Sequence, residues 1–167
     1  MKLKHDERLP LLIIITAILL IAYGYCIAHS TVALTYTYDP QLVIDEAITH
    51  LGKPYVYAAN GPNAFDCTGF TCYCYSTVYG ITLKRSAYEQ GYDDTYTKLY
   101  EWCNLKPGDI VYFNTNGGDS DLSDHAGIYI GNGEFIHASS GKGGVVISSL
   151  WEGYYNKRFS WGRRVLS

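Results

Sequence analysis

The sequence has no excess of positive charge: 13 Lys and Arg stand against 16 Asp and Glu, a formal net charge of -3, and the basic residues are scattered except at the two ends. The electrostatic footprint of a nucleic-acid binder is therefore missing, and nucleic acid is not an expected partner. Paired cysteine clusters are missing too. Cys26, Cys67, Cys72, Cys74 and Cys103 are odd in number and include no two CxxC pairs at zinc-finger spacing. Neither a disulfide scaffold nor a structural zinc site is indicated. No internal repeat or low-complexity tract breaks the chain. At 47% hydrophobic and 17% charged residues the composition is globular, and 167 residues hold one core comfortably and two only with difficulty. Every reactive group must then come from a single core.

What is present begins with an apolar run. Residues 9–28, LPLLIIITAILLIAYGYCIA, carry no charge and follow Lys2, Lys4 and Arg8. About 20 apolar residues suffice to cross a bilayer core, and basic residues ahead of them favour a cytoplasmic N-terminus. The expectation is a cytoplasmic tail over 1–8, a membrane anchor or cleavable signal segment over 9–28, and a linker over 29–38. Residues 39–167 then form one extracytoplasmic domain, membrane-anchored or secreted after cleavage.

Within that domain, Asp39 and Pro40 read as N-cap and first helical position of a helix over roughly 40–51, with Ile44, Ala47, Ile48 and Leu51 on one face. Asp66 caps a second helix from Cys67 to Tyr79, stopped by Gly80, with Phe70, Cys74 and Val78 as its buried stripe. After Pro107-Gly108-Asp109 come the strands IVYF, HAGIYIG, EFIHAS and VVISS. Helices first and strands later give an α+β fold with a mostly antiparallel sheet. Cys72 and Cys74 fall inside the second helix, where small thiols pack.

Cys67 differs, because it stands at the first turn of a helix. Unpaired N–H groups and the positive dipole end there favour thiolate over thiol, and a lowered pKa makes a nucleophile. Gly69 is expected to leave the helix start open to a substrate backbone. Two histidines are candidates for the base, His125 and His137, on strands joined around Asn132-Gly133. A loop of those two residues alone would pair Gly131 with Glu134 and put the imidazoles on opposite faces. A three-residue loop, Gly131-Asn132-Gly133, pairs Ile130 with Glu134 and sets His137 opposite Gly127, with His125 as its diagonal neighbour. The second register is the one expected, since it lets one ring orient the other and sends Ala126, Ile128 and Ile130 to the core.

These residues resemble the NlpC-type cell-wall cysteine peptidases, a papain-like family, over roughly residues 40–167. The resemblance rests on GKPYVYAANGPNAFDCTGF, LKRSAYEQ, LKPGDIVYF, DHAGIYIGNGEFIHAS and FSWGRRVL, in that order. It implies a papain-like fold with Cys67 as nucleophile, His125 as base, His137 as orienting residue and Tyr55 near the oxyanion. Asp66, Thr68, Arg85 and Ser86 are the implied substrate contacts. No metal or other cofactor is called for. The implied substrate is the peptidoglycan stem peptide, cut at the γ-D-glutamyl-diamino acid bond through a thioester. Alternatives are another wall amide, a cross-bridge, transfer to an amine instead of water, or a tethered wall-binding protein without activity. Three departures stand out: Thr68 for the usual Ser, Ala58-Ala59 for a common glycine pair, and Arg85 where relatives selective for a free amino end tend to carry an acid.

Overall fold

The computed structural model describes residues 37–117 and 123–166, together with Ile18 and Leu20. The expected tail, the rest of the 9–28 segment and most of the linker lie outside the described residues. Among the described residues no helix is long and apolar enough to cross a membrane.

Helix α1, Pro40–Ile48, starts where the Asp39 carboxylate accepts the Gln41 N–H at 3.0 Å, and Pro40 occupies a position whose N–H needs no partner. It ends a turn earlier than expected. Thr49 closes it, its hydroxyl donating to the Glu46 carbonyl at 2.7 Å. Val43, Ile44 and Ala47 are buried, whereas Ile48, the last helical residue, and Leu51, beyond it, are exposed. Helix α2, Cys67–Tyr79, has both expected ends: Asp66 accepts the Gly69 N–H at 2.6 Å, and Gly80 takes the left-handed conformation at φ 66°. Phe70 and Cys74 are buried as expected, but Tyr75 rather than Val78 joins them, with its hydroxyl donating to the Gly108 carbonyl.

Six strands form one antiparallel sheet: β1 (Thr97–Leu99), β2 (Ile110–Phe113), β3 (His125–Gly131), β4 (Glu134–Ser139), β5 (Gly144–Ser149) and β6 (Phe159–Arg164), in spatial order β1-β6-β2-β3-β4-β5. Two short helices, α3 (Ala87–Gly91) and α4 (Gly153–Asn156), lie outside the expected set, as does β1. One face of the sheet packs on α1 and α2 through Ile110, Tyr112, Ala126, Ile128 and Ile136. The opposite face has its own apolar layer of Val111, Phe113, Tyr129, Phe135 and Leu150.

The β3–β4 hairpin reaches the expected pairing by another route. Asn132 and Gly133 both have positive φ, 53° and 73°, and form a two-residue turn, so Gly131 pairs with Glu134 and Ile130 does not. A bulge between Tyr129 and Gly131 then shifts the register by one residue. Tyr129 pairs with Phe135 and Ile128 with Ile136. Continued along the strands, that register sets His137 opposite Gly127 with His125 on the same face.

Candidate active site

The cleft is built at the head of α2, where half-buried Cys67 follows the capping Asp66. Burial nevertheless pushes the thiol pKa up; the backbone donors, led by Ala126, pull it down, and the Asp66 charge adds to the rise. The expected lowering is therefore reversed: desolvation of the charged form outweighs the donors at the helix start. Gly69 is also not open to a substrate, since a Cβ there would lie 2.0 Å from the Ala59 carbonyl oxygen. Its lack of a side chain admits the chain's own loop, whose Ala59 carbonyl accepts the Asp66 N–H at 3.0 Å. In that loop Ala58 holds φ 64°, a conformation more easily taken by glycine.

The two imidazoles meet. His125 Nε2 and His137 Nδ1 are 2.8 Å apart, with the rings nearly perpendicular at 88°. His137 Nε2 lies 2.9 Å from the Ser148 hydroxyl, which extends the chain of contacts onto β5. Gly127 makes this possible: a Cβ there would sit 2.6 Å from Phe135 and 3.0 Å from His137 Cβ. Both rings are buried, His137 fully. Burial lowers the His125 pKa from 6.5 to about 4, with the Asp124 charge pulling the other way. His137 moves further in the same direction, through burial and then the neighbouring His125. Both rings are neutral at ordinary pH.

Tyr55 is half-buried across the cleft, and burial followed by the nearby Cys67 and Asp66 charges raises its pKa, so it keeps its hydroxyl proton. Asp66 is buried and meets Arg85 at two points, Nη2 to Oδ2 at 2.6 Å and Nη1 to Oδ1 at 3.1 Å; Arg85 also donates to Thr68 Oγ1 at 2.8 Å. Ser86 caps α3 in a reciprocal arrangement with Glu89. All four expected contact residues thus border a half-cleft of about 390 Å³ that Tyr55, Cys67 and Asp124 also line. A second half-cleft of about 440 Å³ is lined by His125, Thr115, Ser139, Lys142, Ser148 and Tyr155. A roomier groove of about 800 Å³ beside Tyr92, Lys98, Tyr100 and Trp161 is lined by neither cysteine nor histidine among the described residues.

Four neighbours escaped the sequence reading. Ser148 shares the face of His137 only because Phe135 pairs with Ser148 and His137 with Val146. Tyr155, from α4, stacks on His125 at 5.8 Å and meets His137 edge-on at 5.0 Å. Asp124 anchors the preceding loop through the Thr115 and Asn116 N–H groups, at 2.7 and 2.6 Å. Lys142 lies in the β4–β5 turn. Of these only Asp124, next to His125 in sequence, carried a readable signal.

The profile of the NlpC/P60 family matches residues 52–164, nearly the whole described domain. The chain belongs to the NlpC/P60 family. Among NlpC/P60 relatives, the Escherichia coli protein named murein DD-endopeptidase MepS/murein LD-carboxypeptidase is 37% identical over 125 residues, 75% of this chain and 62% of that protein. The probable endopeptidase p60 of Listeria monocytogenes is 45% identical over 96 residues, 58% of this chain and 18% of its own length. The chain spans less than two thirds of each. Among solved structures, an NlpC/P60 family protein from Bacillus cereus superposes with TM-score 0.69 at 29% identity, covering 78% of this chain and 41% of that one. The NlpC/p60 domain of the peptidoglycan hydrolase SagA gives 0.64 at 27% identity, covering 77% and 100%. The helix-and-antiparallel-sheet architecture is thus that of solved family members. Among the described residues no cluster of His, Cys, Asp and Glu is grouped as for a metal ion.

Proposed function

We propose that residues 39–167 are a cysteine endopeptidase of peptidoglycan, cutting amide bonds of the stem peptides. The observation that carries this reading is the buried His125–His137 contact at 2.8 Å, with the Ala126 N–H, one residue beyond His125, acting on the Cys67 thiol. Names of relatives that include murein endopeptidases support it. Cys67 attacks the amide carbon while His125, through Nδ1, takes the thiol proton. This requires His125 to carry its proton on Nε2 and donate to His137 Nδ1, with His137 donating from Nε2 to Ser148. The carbon–nitrogen bond then breaks and His125 returns the proton to the leaving amine. Water attacks the thioester carbon and gives a proton to His125; the carbon–sulfur bond then breaks, the acid departs, and His125 returns the proton to the sulfur. The Tyr55 hydroxyl and the Cys67 N–H face the oxyanion, contacts whose individual loss costs about 2.7–4 kcal/mol of barrier. Asp66, Thr68, Arg85 and Ser86 border the acyl half of the substrate.

Two bonds fit. The γ-D-glutamyl-diamino acid bond is the first. Cross-bridge cleavage is the second, favoured by the names of the E. coli relatives and by Arg85, which occupies both oxygens of Asp66 and leaves that acid unavailable to a free amino end. The site of action is extracytoplasmic, with residues 9–28 as membrane anchor or cleaved signal. Digestion of purified peptidoglycan by native protein and Cys67→Ala, with products weighed by mass spectrometry, tests activity, nucleophile and bond together. New amino ends from the native protein alone support the proposal, whereas equal digestion by both, or by neither, refutes it.

A further inference from the structure

The two half-clefts differ in charge. On the Cys67 side the cation is Arg85, and the Asp66 carboxylate neutralises it at two points. On the His125 side the cation is Lys142, and among the described residues no carboxylate lines that half-cleft or pairs with Lys142. Around it are the hydroxyl-bearing Thr115, Ser139, Ser140, Ser148 and Tyr155, and among the described residues Lys142 is the one charged side chain of the lining with no carboxylate beside it.

Lys142 is also held in place. Its N–H donates to Ser139 Oγ at 3.2 Å, the Gly143 N–H to the Ser140 carbonyl at 3.3 Å, and the Gly143 carbonyl accepts the Tyr55 N–H at 2.9 Å. The turn that carries the lysine is thereby tied to the segment that carries Tyr55. A charge on a fixed backbone discriminates between ligands better than one on a free loop.

Proton transfer decides which part of the substrate faces this charge. The acyl carbon stays on sulfur, whereas the leaving amine must receive its proton from His125, so the leaving residue occupies the His125 side. We infer that Lys142 is a specificity residue for that leaving residue, meeting a free carboxylate on it. The inference rests on the peptidase reading and deepens it. A leaving residue that bears a carboxylate, as a diamino acid does, gains an ion pair; one whose carboxyl is amidated does not.

The test uses two muropeptides identical except that the leaving residue carries a carboxylate or a carboxamide. Native protein is expected to favour the carboxylate by about fivefold in kcat/KM, as suits a solvent-exposed pair, with the ratio shrinking in high salt. Lys142→Gln is expected to bring the ratio near one, Lys142→Arg to keep it and Lys142→Glu to invert it. Cleavage of both substrates by native protein without preference, or a preference that survives in Lys142→Gln, overturns the inference and leaves the peptidase reading standing. Cleavage of neither overturns that reading and the inference with it.

Discussion

His125 and His137 sit where an ion pair with a thiolate would be costly. Their burial keeps both rings neutral, and burial of Cys67 keeps its sulfur protonated. On the proposed mechanism the resting pair is a neutral thiol and a neutral base, and charge develops only as the substrate is attacked. This has a consequence for stability. The unfolded chain binds protons on these histidines near their ordinary value of 6.5, the folded chain only near 4 for His125 and lower still for His137. Between those limits the unfolded state holds more protons, so stability is full above the unfolded value and is lost as pH falls. The loss is on the order of 1 kcal/mol per pH unit for each ring in that window. Urea unfolding across the window checks this, and His137→Gln should flatten the slope. At this scale the sequence was legible for identity and not for environment: Cys67 stood out by its place at a helix start, and His125 and His137 as a pair on adjacent strands, whereas the rise in the thiol pKa depends on what packs over it.

The β3–β4 hairpin shows the limit for whole elements. Strand positions followed from apolar runs bounded by turn residues, and α2 from Asp66 and Gly80, because those signals are local. The bulge near Ile130 was not legible; nothing in GIYIGNGEF states that the turn has two residues and the strand an extra one. Two errors of count cancelled, and His137 still arrived opposite Gly127. Gly127 is where the element meets the site, since a methyl there would lie 2.6 Å from Phe135 and 3.0 Å from His137. Gly127→Ala should cost roughly 1–3 kcal/mol by overpacking and separate the two rings. Thermal unfolding and turnover should fall together, and a variant with native stability and activity would show that the strand yields freely. The short elements β1, α3 and α4 were missed because three to five residues leave no period to read.

Across the whole domain, distant segments converge on one cleft. The loop from Gly52 to Asp66 supplies Tyr55, α2 the sulfur, β3 and β4 the imidazoles, β5 the hydroxyl behind them, and the β4–β5 turn a cation. The helices pack on one sheet face, and Tyr155 of α4 packs on the other beside Phe113 and Phe135. The order of motifs along the chain made this architecture legible; the second apolar layer behind Phe113 and Phe135 was not, because β2 and β3 are buried on both faces and hide their alternation. The direct test of the central claim, that Cys67 becomes acylated with His125 as its base, is rapid acid quenching of native protein with a muropeptide, followed by peptide mass mapping. The account predicts the acyl half of the substrate on the peptide containing Cys67, and its loss in both Cys67→Ala and His125→Ala. An adduct on another residue, or native turnover by Cys67→Ala, would contradict it.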